Sequence, residues 1–377
     1  MINKENTLTE LFEYKANNGV SEYHAVIHVT NSSLTYHAQV EALLNAYDKL
    51  LKDELHGAVA IFKRFFLSDA TNQADYLTAI EIECSDCALS IVKQPPLNGT
   101  KIALWVYLQT GIQTKVLPHG IFEVRHGNYR HLWTAGNYNK AANSEYQTRL
   151  LLNDYVMQLM EQGCKLSNNC IRTWFFVQNV DINYAGVVKA RNKVFATQNL
   201  TDKTHFIAST GIGGRHADPK VFVQMDAYAA DGLQPEQIRH LYAPTHLNPT
   251  YEYGVSFERG TYIDYGDRRQ VFISGTASID NKGEVVHPGD IRMQTERMWK
   301  NVETLLNEAD CTFEHVGQML VYLRDISDYD AVKEMFDHRF PKTPKLILAA
   351  PVCRPGWLIE MECMAVKSQN DKCYPAY

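Results

Sequence analysis

Apolar and polar positions along the chain repeat one order of elements in each third. In the last third, "RRQVFISGTASI" reads as a strand, and "DIRMQTERMWKNVETLLNEAD" follows with Ile291, Met298, Val302, Leu305 and Leu306 at helical spacing. "HVGQMLVYLRDI" then predicts a strand, "DYDAVKEMFDHRF" a helix, and "PKLILAAPV" and "WLIEMECMAV" two closing strands. In the middle third, "RHLWTAGNY" precedes the helix "EYQTRLLLNDYVMQLMEQG", where Leu151, Tyr155, Val156 and Leu159 form a stripe and Gly163 offers a C-terminal stop. "IRTWFFVQNVDINYAGVVKARNKVF" and "THFIASTGIGGRHADPKVFVQMDAYA" complete that copy. The first third is more diverged but keeps the order: "EYHAVIHVTN", the helix "YHAQVEALLNAYDKLL", the strand "GAVAIFKRFFLS", the short helical segment "TNQADYL", and closing strands in "CALSIVKQPPLNGTKIALWVYLQ". The pattern predicts three tandem α+β units over 1–118, 119–240 and 241–377.

Composition narrows the class. A chain of 377 residues that is 45% hydrophobic and 21% charged can bury a large core. Its net charge is −6 and its Lys and Arg residues are scattered, which argues against a phosphate-tracking surface and a nucleic-acid partner. The segment "MINKENTLTELFEYKANNG" has no apolar signal region and no apolar run approaches membrane-spanning length, so a cytoplasmic location without membrane contact is expected. Eight cysteines are too few and too scattered for a disulfide scaffold. The CxxC formed by Cys84 and Cys87 has no second pair and no nearby histidine, and is assigned no chemistry; neither a metal nor another cofactor is expected.

The last strand poses the chemical question. In an extended segment Trp357, Ile359, Met361 and Cys363 share one side, while Leu358, Glu360, Glu362 and Met364 share the other. The plain alternative is a solvated face. Leu358 and Met364 flank the acids, however, and a carboxyl group beside apolar neighbours or a second carboxylate keeps its proton to higher pH. Glu360 is therefore the candidate general acid. Matching the copies places Gln224 where Glu360 stands, and Ala103 or Leu104 at that point of the first copy. One competent cleft out of three is the expectation.

Other candidates surround this strand. Arg259, Arg354 and Arg215, the last in "GIGGRHADP", stand in loops beside closing strands and could hold a carboxylate. Cys353 has no histidine near in sequence and is read as shaping a cleft. Tyr242, Tyr251 and Tyr253 could donate hydrogen bonds to a ligand. "TGIGGRH" lacks both the strand-to-helix context of a dinucleotide fingerprint and the Lys-Ser/Thr of a P-loop, and reads as a tight loop.

Three segments of the last copy, "VFISGTASID", "VYLRDISDYDAVKEMFDHRF" and "WLIEMECMAV", resemble the RidA/YjgF superfamily, the reactive-intermediate deaminases once described as L-PSP endoribonucleases. The resemblance covers the last third closely, the middle third recognisably and the first third loosely. It implies units of a mixed sheet covered by two helices, assembled as a trimer with ligand clefts between neighbours. Three units in one chain then imply an intramolecular pseudo-trimer, a monomer rather than an obligate oligomer. Members that deaminate imines carry a carboxylate-holding arginine near the start of the penultimate strand, and Lys345 stands at that place here. A lysine lacks the two-pronged fork.

"PVCRPGWLIE" is similar to a segment of the chorismatases, long single chains of the same superfamily whose final strand carries the catalytic glutamate. The resemblance implies Glu360 as that acid, Cys353 and Gly275 as the pair of the 3-hydroxybenzoate-forming branch, and Arg259 of "YGVSFERG" as a carboxylate grip. "RTWFFVQNVDIN" also resembles a chorismatase stretch, but Phe175 and Phe176 replace an Asn-Tyr pair. Three readings follow: a chorismatase-like enzyme acting on the enol-pyruvyl ether of a small carboxylate, an enamine or imine deaminase, and a catalytically silent metabolite-binding protein.

Overall fold

The computed structural model describes residues 2–16, 19–84 and 87–377, and its strands form three six-stranded sheets. The first unit holds β1 (Ile2–Lys4), β2 (Thr7–Tyr14), β3 (Glu22–Val29), α1 (Tyr36–Asp53), β4 (Val59–Leu67), α2 (Ala70–Cys84), β5 (Ala88–Lys93) and β6 (Ile102–Gln109). The second holds β7 (Gln113–Val116), β8 (Phe122–His126), β9 (Tyr129–Tyr138), α3 (Ser144–Glu161), the short α4 (Leu166–Asn169), β10 (Cys170–Val177), α5 (Val180–Thr197), β11 (Ala208–Gly213) and β12 (Val223–Asp231). The third holds β13 (Ile238–Leu241), β14 (Gly260–Asp264), β15 (Arg268–Ala277), α6 (Ile291–Glu308), β16 (Val316–Leu323), α7 (Tyr329–Arg339), β17 (Lys345–Ala349) and β18 (Ile359–Ser368).

All three sheets share one topology. The orders β1-β2-β3-β6-β4-β5, β7-β8-β9-β12-β10-β11 and β13-β14-β15-β18-β16-β17 place the last strand of each unit in the interior of its sheet. The pairs β4/β5, β10/β11 and β16/β17 are parallel, and α2, α5 and α7 are the crossovers such pairs require. The α+β class and the tandem repeat read from the sequence are therefore present. The second sheet begins at Gln113 and the third at Ile238, a few residues ahead of the expected divisions.

Local sequence explains the repeated elements. The first helix of each unit starts on a side-chain cap: Thr35 accepts from Ala38 N, Asn143 from Tyr146 N, and Asp290 from Met293 N. Gly163 takes φ +74° just beyond α3, a conformation open to glycine and costly for most residues. Met298, Val302, Leu305 and Leu306 are buried on α6, and Leu151, Tyr155, Val156 and Leu159 on α3. The helical segments expected to be short run longer, 15 residues in α2 and 18 in α5, because the buried stripe of α5 continues through Val187, Val194 and Phe195.

The sheet faces away from these helices meet at the centre. Phe62 of the first unit packs 5.4 Å from Trp133 and 6.1 Å from Trp174 of the second, measured between ring centres. A buried ion pair crosses each boundary: Arg64 to Asp226 at 2.8 Å, Arg172 to Glu362 at 2.8 Å, and Arg268 to Glu22 at 2.6 Å. Isolated backbone bridges do the same, joining Lys93 to Arg215, Ile212 to Val352 and Pro96 to Leu348. Each unit thus touches both others. The CxxC from Cys84 to Cys87 runs through residues outside the described set. Among the described residues no helix is long and apolar enough to cross a membrane, and no group of three or more His, Cys, Asp or Glu residues could hold a metal.

Asp226→Ala tests the central pairs. It leaves Arg64, fully buried, with Glu362 at 3.8 Å as its one remaining acid among the described residues, and should cost about 3–5 kcal/mol in the denaturant midpoint analysis. A loss below about 1 kcal/mol would remove the pair from the account of the fold.

Candidate active site

β18 lies between β15 and β16 in the interior of its sheet, and its residues from Ile359 to Val366 are buried. Glu360 is 3% exposed and Glu362 1%, and the solvated-face alternative fails. The two acids differ in their surroundings. Glu362 accepts hydrogen bonds from Arg172 Nη2 at 2.8 Å, Trp174 Nε1 at 2.9 Å and the Thr210 hydroxyl. No group among the described residues hydrogen-bonds to the Glu360 side chain, which instead lines a cavity of about 500 Å³ between the second and third units.

Room for the Glu360 carboxyl comes from Gly275. The β15/β18 register slips between Ile273 and Thr276, and a Cβ built on Gly275 would lie 2.0 Å from Glu360 Oε1. The Gly275 N–H donates to Thr210 Oγ1 at 2.9 Å, which ties this bulge to the group that holds Glu362. Burial first, and the Glu362 charge second, push the Glu360 pKa up to about 8 against the pull of Arg172 and Arg259. At neutral pH Glu360 is a carboxylic acid. Burial likewise pushes the Cys353 thiol up to about 12, which removes it as a nucleophile and leaves it a wall of the cavity.

Arginines of the second and third units face this acid. Arg259 is 3% exposed and is steadied by Asn248, whose carbonyl accepts from Arg259 Nη2 at 2.9 Å and Nε at 3.3 Å. Arg354 stacks over Tyr253 at 4.7 Å and Trp357 at 5.3 Å. The third is Arg191 of α5, which sequence reasoning missed. It is 1% exposed, and its Nε and Nη2 have no hydrogen-bond partner among the described residues. Tyr253 Oη and Trp357 Nε1, both in the lining, are unpartnered too. Buried donors without acceptors are costly, and those lining this cavity would be satisfied by acceptor oxygens. One sequence signal could have found Arg191: it falls inside the buried stripe Val187, Val194, Phe195, where a charge is out of place.

The remaining candidates separate. Gly275, Cys353, Arg259, Arg354 and Tyr253 join Glu360 in the cavity. Arg215 does not; it pairs its backbone with Lys93 at the boundary of the first and second units, because the loop after β11 turns toward β5. Tyr242 and Tyr251 line a separate hollow of about 200 Å³ on another side of Arg259, and Tyr242 is 47% exposed with its N–H held by Glu308.

Lys345 also belongs elsewhere. It faces a cavity of about 470 Å³ between the third and first units, and its ammonium is taken up by Glu10 at 3.2 Å, the Phe340 carbonyl at 3.2 Å and Asp337 at 3.3 Å. Register identifies its counterpart in the Glu360 cavity. Lys345 pairs Met319, three residues before the Tyr322 that faces Glu360; Ser209 pairs Thr173, three before the Phe176 that faces Gln224. Ser209 lines the Glu360 cavity, so the place of a carboxylate-holding arginine is occupied there by a serine. Gln224 and Ala103 stand opposite Phe176 and Phe66, as Glu360 stands opposite Tyr322. Of these three positions only Glu360 is an acid.

Comparison with known proteins agrees with this architecture. The endoribonuclease L-PSP family matches residues 259–367. A RutC family protein of Pyrococcus abyssi is 35% identical over 128 residues, which is 33% of this chain and 91% of that protein. The 3-aminoacrylate deaminase RutC of Acinetobacter baylyi is 29% identical over 102 residues, 25% of this chain and 77% of that protein. Among solved structures, a chorismatase superposes with a TM-score of 0.65 at 18% identity, covering 81% of this chain and 93% of the chorismatase.

Gly275→Ala should leave the sheets intact but force the Glu360 carboxyl from its seat, at a cost of about 1–3 kcal/mol. A crystal structure of the variant with Glu360 unmoved would contradict the packing described here.

Proposed function

This chain belongs to the RidA/YjgF superfamily of L-PSP-like proteins, and from that premise we propose that the Glu360 cavity cleaves the enol-pyruvyl ether of chorismate or a related cyclic carboxylate. The observation that carries this reading is a buried glutamic acid with its pKa raised to about 8, facing a cavity in which Nε and Nη2 of the buried Arg191 have no acceptor among the described residues. An enol ether is inert until a proton reaches its methylene carbon. A buried glutamic acid is suited to deliver one, because burial holds the proton on the oxygen near working pH.

The residues take the following parts. Arg259 and Arg191 hold substrate carboxylates, their fixed guanidinium groups supplying charge without reorganisation. Glu360 transfers its proton to the methylene carbon, where the electron pair of the double bond forms the new C–H bond, leaving positive charge shared between the ether oxygen and the carbon that bears it. Water adds to that carbon and loses a proton to the Glu360 carboxylate. The resulting hemiketal parts into pyruvate and the ring alcohol, with Glu360 again protonated. Cys353, neutral and close to Glu360, bounds the space open to the ring.

The shared fold with a chorismatase supports this reading, and so does the cationic cavity. The relative named as a 3-aminoacrylate deaminase raises the imine or enamine alternative, but Ser209 supplies no cation where that chemistry, by the resemblance, places an arginine.

Incubation with chorismate should release pyruvate and a ring product identifiable by mass. Glu360→Gln should lower turnover by about a hundredfold to ten-thousandfold with ligand affinity nearly unchanged. Arg259→Ala should instead raise KM, since a carboxylate is held alike in ground and transition states. Because the acid must be protonated, kcat/KM should be level below pH 8 and fall tenfold per unit above it. Full activity of Glu360→Gln, or a rate that rises through pH 8, would dismiss the assignment.

A further inference from the structure

Glu362 lies two residues beyond Glu360 on the same face of β18, which separates the two side chains by about 7 Å. Its partners come from the other two units. Arg172, Trp174 and Thr210 belong to the second, and Arg64 of the first stands 3.8 Å from Glu362 Oε1. The three groups of the second unit donate hydrogen bonds to the Glu362 carboxyl, and Arg172 and Arg64 bring positive charge to it. Glu360 has no such partners.

We propose that the contact between the second and third units governs the proton on Glu360, with Glu362 retaining it by negative charge and Arg172 drawing it away. Glu362 and Arg172 are positioning residues in this account, and the proposal rests on the reading of Glu360 as the acid of the cleft. Glu362, about 7 Å from Glu360 in a protein interior, is near enough for its charge to matter, and Arg172 is tied to Glu362 at 2.8 Å.

Three neutral groups stand closest around Glu360. Tyr322 stands opposite it on β16, Tyr184 reaches it from α5, and Cys353 approaches from the loop before β18. Burial pushes both phenols and the thiol up, so all three are neutral across the range in which Glu360 titrates. Of the cations, Arg259 on the β14 side also draws the proton away, while Arg191 and Lys189 on α5 and Arg354 line the same cavity; among the described residues none of the four hydrogen-bonds to Glu362. The lift of Glu360 to about 8 is consistent: after burial, Glu362 raises it and Arg172 is the first group that lowers it.

The test reads the proton directly on ligand-free protein carrying carboxyl-labelled glutamate, by carbon NMR across a pH series, with the Glu360 resonance assigned through its loss in Glu360→Gln. Glu362→Gln should move the Glu360 midpoint down by about one unit, and Arg172→Gln should move it up by about one unit. Thr210→Val, which removes a donor to Glu362 but no charge, should move it by less than about half a unit. Opposite shifts in the two charge variants support the proposal. Shifts in the same direction, as when loosened packing admits water in both, or no shift in either, overturn it. Should Glu362→Gln fail to fold, Arg172→Gln decides alone, since loosening lowers the midpoint and the proposal raises it. Failure to turn over chorismate would dismiss the proposed function while leaving this measurement intact, and the reverse also holds.

Discussion

Each sheet in this chain has two faces, and the helices of its own unit cover only one. The other face carries Trp105, Trp133 and Trp174, all nearly sealed from water, together with Arg64, Arg172 and Arg268. No unit could bury that surface alone. The aromatic rings need one another, and the charges need counterparts that only a neighbouring unit supplies: Asp226 for Arg64, Glu362 for Arg172, Glu22 for Arg268. Breaking a buried pair costs more than forming one contributes, so any apposition that strands these charges is strongly disfavoured. The cavity with Glu360 exists because two such faces meet with a gap between α5 and the loop before β14.

Much of this was legible in the sequence, for reasons that can be named. Helical periodicity identified α3 and α6 because their buried stripes are apolar, and the repeated order identified three units because each sheet uses the same connections. Glu360 was legible because a carboxyl between Leu358 and Met364 breaks an apolar strand. What a single sequence could not convey is which unit faces which. Arg215, Tyr242 and Lys345 have the right chemistry and lie on the wrong side of their boundaries. Arg191 has the right place but sits within a helix, where an arginine ordinarily reads as solvated.

The cavities at two boundaries show how chemistry can differ on one frame. Around Glu360 the arginines exceed the acids and several donors stand unpaired. Around Lys345 the charges close on themselves. Burial works against ionising Glu10, yet His28 and Lys345 hold its carboxyl below the usual range, and Asp337 takes another edge of the same ammonium. The first arrangement invites an anion from outside; the second already has its counterions.

The common backbone under Glu360, Gln224 and Ala103 has a consequence for how such a protein can change. In an assembly of three identical chains a single codon alters every cleft at once, so an acid needed at one boundary is imposed on the other two, along with the cost of burying it. Here the three positions are written separately in one reading frame. Two of them are free to become glutamine and alanine, and to serve packing, while the third keeps its acid.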